Sequence, residues 1–137
     1  MGEVRAQVKL INAADESLAR RGMLSSGEIR SYDANALIDT GAVCTVIPTD
    51  VMQALGLTSV HQRLVEYADG RKDPVPVTES LVVVIRGRRT SDEALVLGDE
   101  VLIGQTVLEK LDLHVDSANR QLIPNPAHPD QTVNKVK

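Results

Sequence analysis

The sequence predicts an all-β fold, a small barrel or sandwich, and three observations support this prediction. Residues 4–10 alternate between apolar and polar side chains, which is the period of a half-buried strand. Short apolar runs such as "LVVVI" at 81–85 follow along the chain. Turn-forming residues separate these runs at intervals of about ten residues. At 137 residues and 42% apolar content, the chain has the size and composition of one domain with its own core.

The first half of the chain divides into strands and one short helix. Residues 4–10 form the first predicted strand, and the polar segment 13–27 is predicted to be a loop with room for a helical turn around "DESLARR". Residues 28–38 predict a second strand. A third strand, "TVIP", ends at Pro48 because proline cannot continue a sheet ladder. "TDVMQALGL" then predicts a short helix that ends at Gly56.

The second half is predicted to be mostly hairpins. "ADGRKDP" supplies an Asp-Gly turn between residues 60–67 and a long strand at 75–86. Two brief strands around Gly98, one or two helical turns at 106–111 and a closing hairpin with its turn near 117–119 follow. We expect the domain to span residues 1–124. Residues 125–137, "NPAHPDQTVNKVK", offer little to bury and predict a flexible C-terminal tail.

Composition argues against several classes of partner. The formal net charge is -4 and the basic residues are scattered, so nucleic acid is not an expected partner. Cys44 is the single cysteine, which excludes an internal disulfide and favours a reducing compartment. The first ten residues carry charges where a signal peptide has its apolar segment, and no apolar run is long enough to span a bilayer. We therefore expect a soluble, cytoplasmic protein. The three histidines share no metal-ligand spacing, so neither a metal nor a cofactor is expected: His61, His114 and His128.

The candidate site is the segment "ALIDTGAVC" at 36–44, which places Asp39 at the end of an apolar run. A carboxylate there costs free energy unless a neighbour satisfies it or a reaction uses it. This segment resembles the active-site segment of the aspartic proteases, in which an apolar strand, Asp-Thr-Gly-Ala or Ser and a second apolar strand follow one another. The family's later element, two apolar residues, a glycine and a short helix, matches "VLIG" at 101–104 and the following "QTVLEKL".

The chain carries one Asp-Thr-Gly rather than two, so it resembles the retropepsin-like branch, in which two identical chains each supply one aspartate. The resemblance covers residues 4–124 and implies a non-viral, bacterial-type member. It implies a small closed barrel with one or two short helices, and an aspartic endopeptidase that acts as a homodimer on a peptide or protein substrate. Asp39 would be catalytic, and the loop around it would be supported by Thr40, Gly41 and Ala42.

The resemblance also implies that the hairpin at 60–77 closes over the substrate. Tyr67, Asp69 and Gly70 would then form the flap and contact the substrate, although an Asp-Gly pair is equally typical of any tight turn. The position of Tyr67, in the cleft or on the outer face of the hairpin, is not determined by the sequence.

Two departures from the retroviral pattern keep other functions open. Retroviral enzymes have acidic residues after Asp-Thr-Gly-Ala and an Arg after the later glycine, whereas this chain has Val43, Cys44 and Gln105. Both partners of that ion pair are missing, so the dimer lacks a polar brace. One alternative is therefore a catalytically inactive binding or assembly module of the same fold. Another is an all-β interaction domain in which Asp39 only caps a turn.

Overall fold

The computed structural model of the chain describes residues 2–136. Among these residues there are three α-helices, α1 (Ala13–Arg20), α2 (Thr49–Leu55) and α3 (Gln105–Leu111), and a 3-10 helix at Ser26–Glu28. The strands are β1 (Arg5–Asn12), β2 (Ser31–Asp39), β3 (Thr45–Ile47), β4 (Ser59–Glu66), β5 (Lys72–Thr78), β6 (Leu81–Ile85), β7 (Arg88–Asp92), β8 (Ala94–Val96), β9 (Leu102–Gly104), β10 (Leu113–Asp116) and β11 (Gln121–Pro124).

Strands dominate the structure, so the predicted all-β class is confirmed, but the sheet is not a closed barrel. Nine strands pair in the order β4-β5-β8-β3-β9-β2-β1-β6-β7, and β10 pairs with β11 in a separate two-stranded sheet. The strands β4 and β7 are therefore the two edges of an open sheet. A closed barrel would need β4 and β7 to pair, whereas β4 pairs with β5 and β7 with β6; β5 in turn joins β8 at the single ladder pair Val77 and Leu95.

The core is aliphatic, and the alternation in β1 shows how the sequence builds it. Val8 and Leu10 are buried, whereas Gln7 and Lys9, which alternate with them along the strand, are exposed. The helix α3 contributes three further core residues from one face, Val107, Leu108 and Leu111. None of the helices in residues 2–136 has the length and apolar character needed to cross a membrane.

The segment predicted as a loop at 13–27 contains a full helix, α1, which raises the number of α-helices above the expected one or two. The side chain of Asn12 caps this helix, because its Oδ1 accepts a hydrogen bond from the Asp15 backbone N–H at 3.0 Å. Its Nδ2 donates to the Leu55 carbonyl at the end of α2, at 2.8 Å. One buried asparagine therefore links two helices, which no local pattern in the sequence could indicate.

The prediction of one long strand at 75–86 is wrong, since this part of the chain is divided between β5 and β6. The Glu79 carboxylate lies at the division and accepts hydrogen bonds from the backbone and the hydroxyl of Thr58, both at 2.8 Å. On one side of this bend β5 pairs with β4, and on the other β6 pairs with β1 and β7.

The described part of the C-terminal segment contacts the end of α3. The Asp112 carboxylate accepts hydrogen bonds from the Asn125 amide at 2.9 Å and from the Val133 backbone at 3.2 Å, and it lies 2.6 Å from His128 Nδ1. These bonds, that from Asn125 most of all, lower the pKa of Asp112. The domain boundary at 124 and the flexibility of residues 125–137 remain predictions.

Candidate active site

The candidate catalytic residue, Asp39, is the last residue of β2 and lies beside the end of β9. In the parallel ladder between these strands Asp39 is the partner of Gly104. The strand β9 also pairs with β3 on its other side, through Val46 and Leu102. The Asp-Thr-Gly loop leaves β2 and returns through β3, so it passes around the end of β9.

Backbone contacts fix this loop against Gly104. The Ala42 N–H donates to the Asp39 carbonyl at 3.0 Å, and the Ala42 carbonyl accepts from the Gln105 N–H at 3.1 Å. A Cβ at position 104 would lie 2.4 Å from the Ala42 carbonyl oxygen, so glycine is required for this close approach. The two sequence elements matched at the outset, "DTGA" and "VLIG", are therefore in direct contact.

The Asp39 carboxylate is oriented through one of its two oxygens. Its Oδ1 accepts a hydrogen bond from the Gly41 N–H at 3.0 Å, and the residue is half-buried. Within residues 2–136, no hydrogen bond reaches Oδ2 and no ion pair involves this carboxylate. The bond to Gly41 is an Asx turn, so the geometry also meets the alternative in which Asp39 caps a turn. One carboxylate oxygen is therefore held by the loop, and the other has no hydrogen-bond partner in the described residues.

In the described residues, the positions next to Asp39 and Gly104 carry no ion pair of the retroviral kind. The Thr40 hydroxyl is exposed and makes no hydrogen bond within the part of the chain that the structure describes. Val43 is 74% exposed, and the Gln105 side chain donates to Glu109 of its own helix at 3.4 Å. The positions that carry an ion pair in retroviral enzymes thus hold an exposed valine and a glutamine directed along α3.

The predicted flap residues form the tip of the β4–β5 hairpin. The Gly70 N–H donates to the Tyr67 carbonyl at 2.9 Å, and the Asp69 carboxylate accepts from the Arg71 N–H at 2.9 Å. Gly70 has a φ of 86°, which favours glycine. The Arg71 guanidinium lies 4.5 Å from the centre of the Tyr67 ring. Among the described residues, no hydrogen bond joins this tip to Asp39.

The hairpin reaches the Asp39 loop through Arg63 on β4, a residue that sequence reasoning did not single out. One guanidinium nitrogen of Arg63 donates to the Cys44 Sγ at 3.5 Å, and another lies 2.6 Å from the Glu93 carboxylate. Cys44 follows Asp39 by five positions and Glu93 precedes β8. No motif joins three positions so far apart in the chain, so only the tertiary structure reveals this contact.

The surface beside the Asp39 loop forms a mostly polar pocket. Here a pocket of about 310 Å³ adjoins Val43 and Cys44, and its other walls are polar or charged: Ser80, Ser91, Asp92, Glu93, Thr106 and Lys110. The histidines, cysteine and acidic residues in the described part of the chain form no group of three or more positioned to hold a metal ion.

Comparison with known proteins shows the family of the chain. Residues 25–110, or 86 of 137, match the model of a family described as gag-polyprotein putative aspartyl protease. The solution structure of the simian foamy virus (mac) protease is similar, with 16% identity and a TM-score of 0.48 over 76% of this chain and 90% of that chain. No curated protein matches the chain. The bacterial-type origin remains a prediction. Because the family model matches more than half of its length, the chain belongs to the retroviral-type, or retropepsin-like, aspartyl protease family.

Proposed function

We propose that this chain is an aspartic endopeptidase that hydrolyses peptide bonds with a water activated by two Asp39 carboxylates, one from each chain of a homodimer. The observation that carries the proposal is the geometry of Asp39. Its backbone is fixed at the end of β2 by the Gly104 contact, one carboxylate oxygen is held by the Gly41 N–H, and the other has no hydrogen-bond partner among residues 2–136. A carboxylate that is oriented but unpaired is suited to act on a bound water.

The chemistry needs a second carboxylate. Two carboxylates within a few ångströms share one proton, since ionisation of both is unfavourable. The ionised Asp39 takes a proton from the water, which attacks the peptide carbonyl carbon, while the protonated Asp39 of the other chain donates its proton to the carbonyl oxygen. One Asp-Thr-Gly per chain supplies one carboxylate, so the reaction calls for a dimer.

The other loop residues would position this pair. The exposed Thr40 hydroxyl has no partner within the described chain and would hydrogen-bond across to the loop of the second chain. Gly41 supplies the N–H that orients Asp39, and Ala42 supplies the carbonyl that α3 anchors through Gln105.

The β4–β5 hairpin would act as the flap, with Tyr67, Asp69 and Gly70 at its tip. Support comes from Arg63, which brings the hairpin to Cys44, within the loop that follows Asp39. Closure of such a hairpin over a bound peptide would exclude water from the reacting bond. The substrate is then a peptide or protein, and we retain the predictions that the protein works in the cytoplasm without metal, cofactor or nucleic acid.

A catalytically inactive binding or assembly module is the second candidate, and the missing brace favours it. With Val43 exposed and Gln105 bonded along its own helix, the loop has no ion pair to support a retroviral-type dimer. A dimer too weak or differently arranged would leave the two carboxylates apart.

Replacement of Asp39 by Asn separates these candidates. The variant keeps the size of the side chain but cannot ionise, so we expect cleavage of a peptide library between mildly acid and neutral pH to fall by at least about a thousandfold. Asp33→Asn, which removes an exposed carboxylate from the same strand, is the matched control and should cleave like the wild type. Equal cleavage by Asp39→Asn and wild type would refute the proposal. A wild type that binds peptides without cleaving them would favour the inactive module.

A further inference from the structure

The β4–β5 hairpin is joined to the rest of the molecule at its base, where Val75, Val77 and Thr78 of β5 are buried, whereas β4 and the tip are exposed. Seven of the eight residues of β4 are exposed, and none is buried. The ladder pair of Val77 and Leu95 connects the base of the hairpin to the sheet. Between that base and the tip, the ladder from His61 and Val77 to Glu66 and Lys72 is made within the hairpin itself. A segment of this kind can pivot on its base without breaking its own ladder.

Arg63 connects β4 to segments outside the hairpin. Within residues 2–136, the side-chain hydrogen bonds and ion pairs that join β4 to elements outside the hairpin are those of Arg63 with Cys44 and Glu93. These two partners lie on different segments, Cys44 just before β3 and Glu93 just before β8. Arg63 therefore contacts both the loop that follows Asp39 and the neighbouring strand.

The contact of Arg63 with Cys44 and Glu93 is weak enough to break and re-form. Burial is the main cause that raises the pKa of the Cys44 thiol, so Cys44 is a neutral, weak hydrogen-bond acceptor. The ionic partner of Arg63 is therefore Glu93. Arg63 and Glu93 are 43% and 37% exposed at their side chains, and such half-exposed pairs are of modest strength. His61 lies on the same strand, with its Nε2 3.4 Å from Arg63.

We propose that Arg63 is a positioning residue that latches the β4–β5 hairpin against the loop carrying Asp39, with Glu93 as its ionic partner. The latch sets how often the hairpin lies closed over the cleft, and it opens to admit a peptide. The link to cleavage rests on the proposed endopeptidase function, whereas the latch itself is a property of the free protein.

The first test measures hairpin opening in the full chain by NMR relaxation dispersion, which does not require activity. Arg63→Met keeps most of the side-chain length without the charge, and Glu93→Gln keeps the shape of the partner. We expect the open population, followed at the amides of residues 63–72, to rise about threefold in each variant. Glu66→Gln is the matched control, because its ion pair with Lys72 lies within the hairpin and should not affect opening.

A charge exchange makes the test specific to the ion pair. Arg63→Glu alone should open the hairpin further, since it faces Glu93, and the double variant Arg63→Glu with Glu93→Arg should return the open population toward the wild-type value. Unchanged opening in both single variants, or no recovery in the exchanged pair, would overturn the latch.

The second test is the pattern of cleavage kinetics. A latch that fails lowers the closed population, so KM should rise about threefold in Arg63→Met with kcat within about twofold of the wild type. A fall in kcat at unchanged KM would show a merely structural role and overturn the proposal. If the wild type does not cleave at all, the endopeptidase function fails, and the NMR result alone decides whether Arg63 is a latch.

Discussion

The Asp39 loop and the β4–β5 hairpin lie next to each other but differ in how they are held. The loop is flanked by fully buried residues, Thr45 and Ile103, and it is in backbone contact with Gly104. The hairpin exposes almost all of β4, including 63% of Leu64, and joins the sheet at one ladder pair. A carboxylate that must meet a second carboxylate needs a fixed position, whereas a cover over a cleft must move. The contrast is what the proposed function requires of a fixed reaction centre and a movable cover.

The largest difference between the two regions should appear in stability. Ile103→Ala removes a fully buried side chain beneath the loop, so we expect it to lower the free energy of unfolding by about 2–5 kcal/mol. Leu64→Ala truncates an exposed side chain on the hairpin and should cost less than about 0.5 kcal/mol. Urea unfolding of both variants measures the difference. Similar losses would show that the hairpin packs against a surface and is not a mobile element.

The fixed position of the loop can be tested at Gly104. The Cβ introduced by Gly104→Ala would press on the Ala42 carbonyl and displace the loop, so we expect cleavage to fall by about a hundredfold. Gly27→Ala is the matched control, because a Cβ there meets nothing within 4 Å and its backbone is not left-handed. Peptide-cleavage assays compare the two variants. Wild-type activity in Gly104→Ala would mean that the loop tolerates displacement.

The start of β2 offers a smaller, pH-dependent test of the rigid region. Asp15 is buried and accepts three hydrogen bonds from Arg30, at 2.8 to 3.0 Å, just before β2 begins. The Arg30 side chain is the main cause that lowers the pKa of Asp15 below 3.8. The charged carboxylate therefore stabilises the fold fully above that value, and this contribution is lost as the pH falls through the lowered folded pKa.

We accordingly expect Asp15→Asn to lower the free energy of unfolding by about 1–2 kcal/mol at pH 7, with hairpin motion unchanged. The difference from the wild type should shrink as the pH drops below 3.8. Denaturation curves at pH 7, 5 and 3 measure it. A difference that is the same at all three values would show that the charge of Asp15 has no part in it.

Local patterns in the sequence predicted the parts of this structure that depend on local chemistry. Alternation located β1, and the apolar runs before Asp39 and Gly104 located β2 and β9, because strand burial has a period of two residues. The family resemblance singled out both runs, and the structure shows that they pair directly.

Features that depend on distant partners were not predictable in this way. The sequence indicated no more than a helical turn where α1 lies, because the cap and the anchor of this helix, Asn12 and Arg30, stabilise it through contacts that the polar segment 13–27 does not display. The open sheet follows from the absence, in the described residues, of a ladder between β4 and β7, which are far apart in the chain. The contact of Arg63 with Glu93 joins positions thirty residues apart, so neither spacing nor residue type indicated it.

The proposal that two Asp39 carboxylates form one reaction centre is tested most directly by mixing subunits. Wild-type chains and Asp39→Asn chains are allowed to exchange, and peptide cleavage is measured against the wild-type fraction at constant total concentration. If both carboxylates are required, only wild-type pairs are active, and cleavage should follow the square of that fraction. Cleavage that falls in direct proportion to the wild-type fraction would show that each chain acts alone and would contradict the shared site.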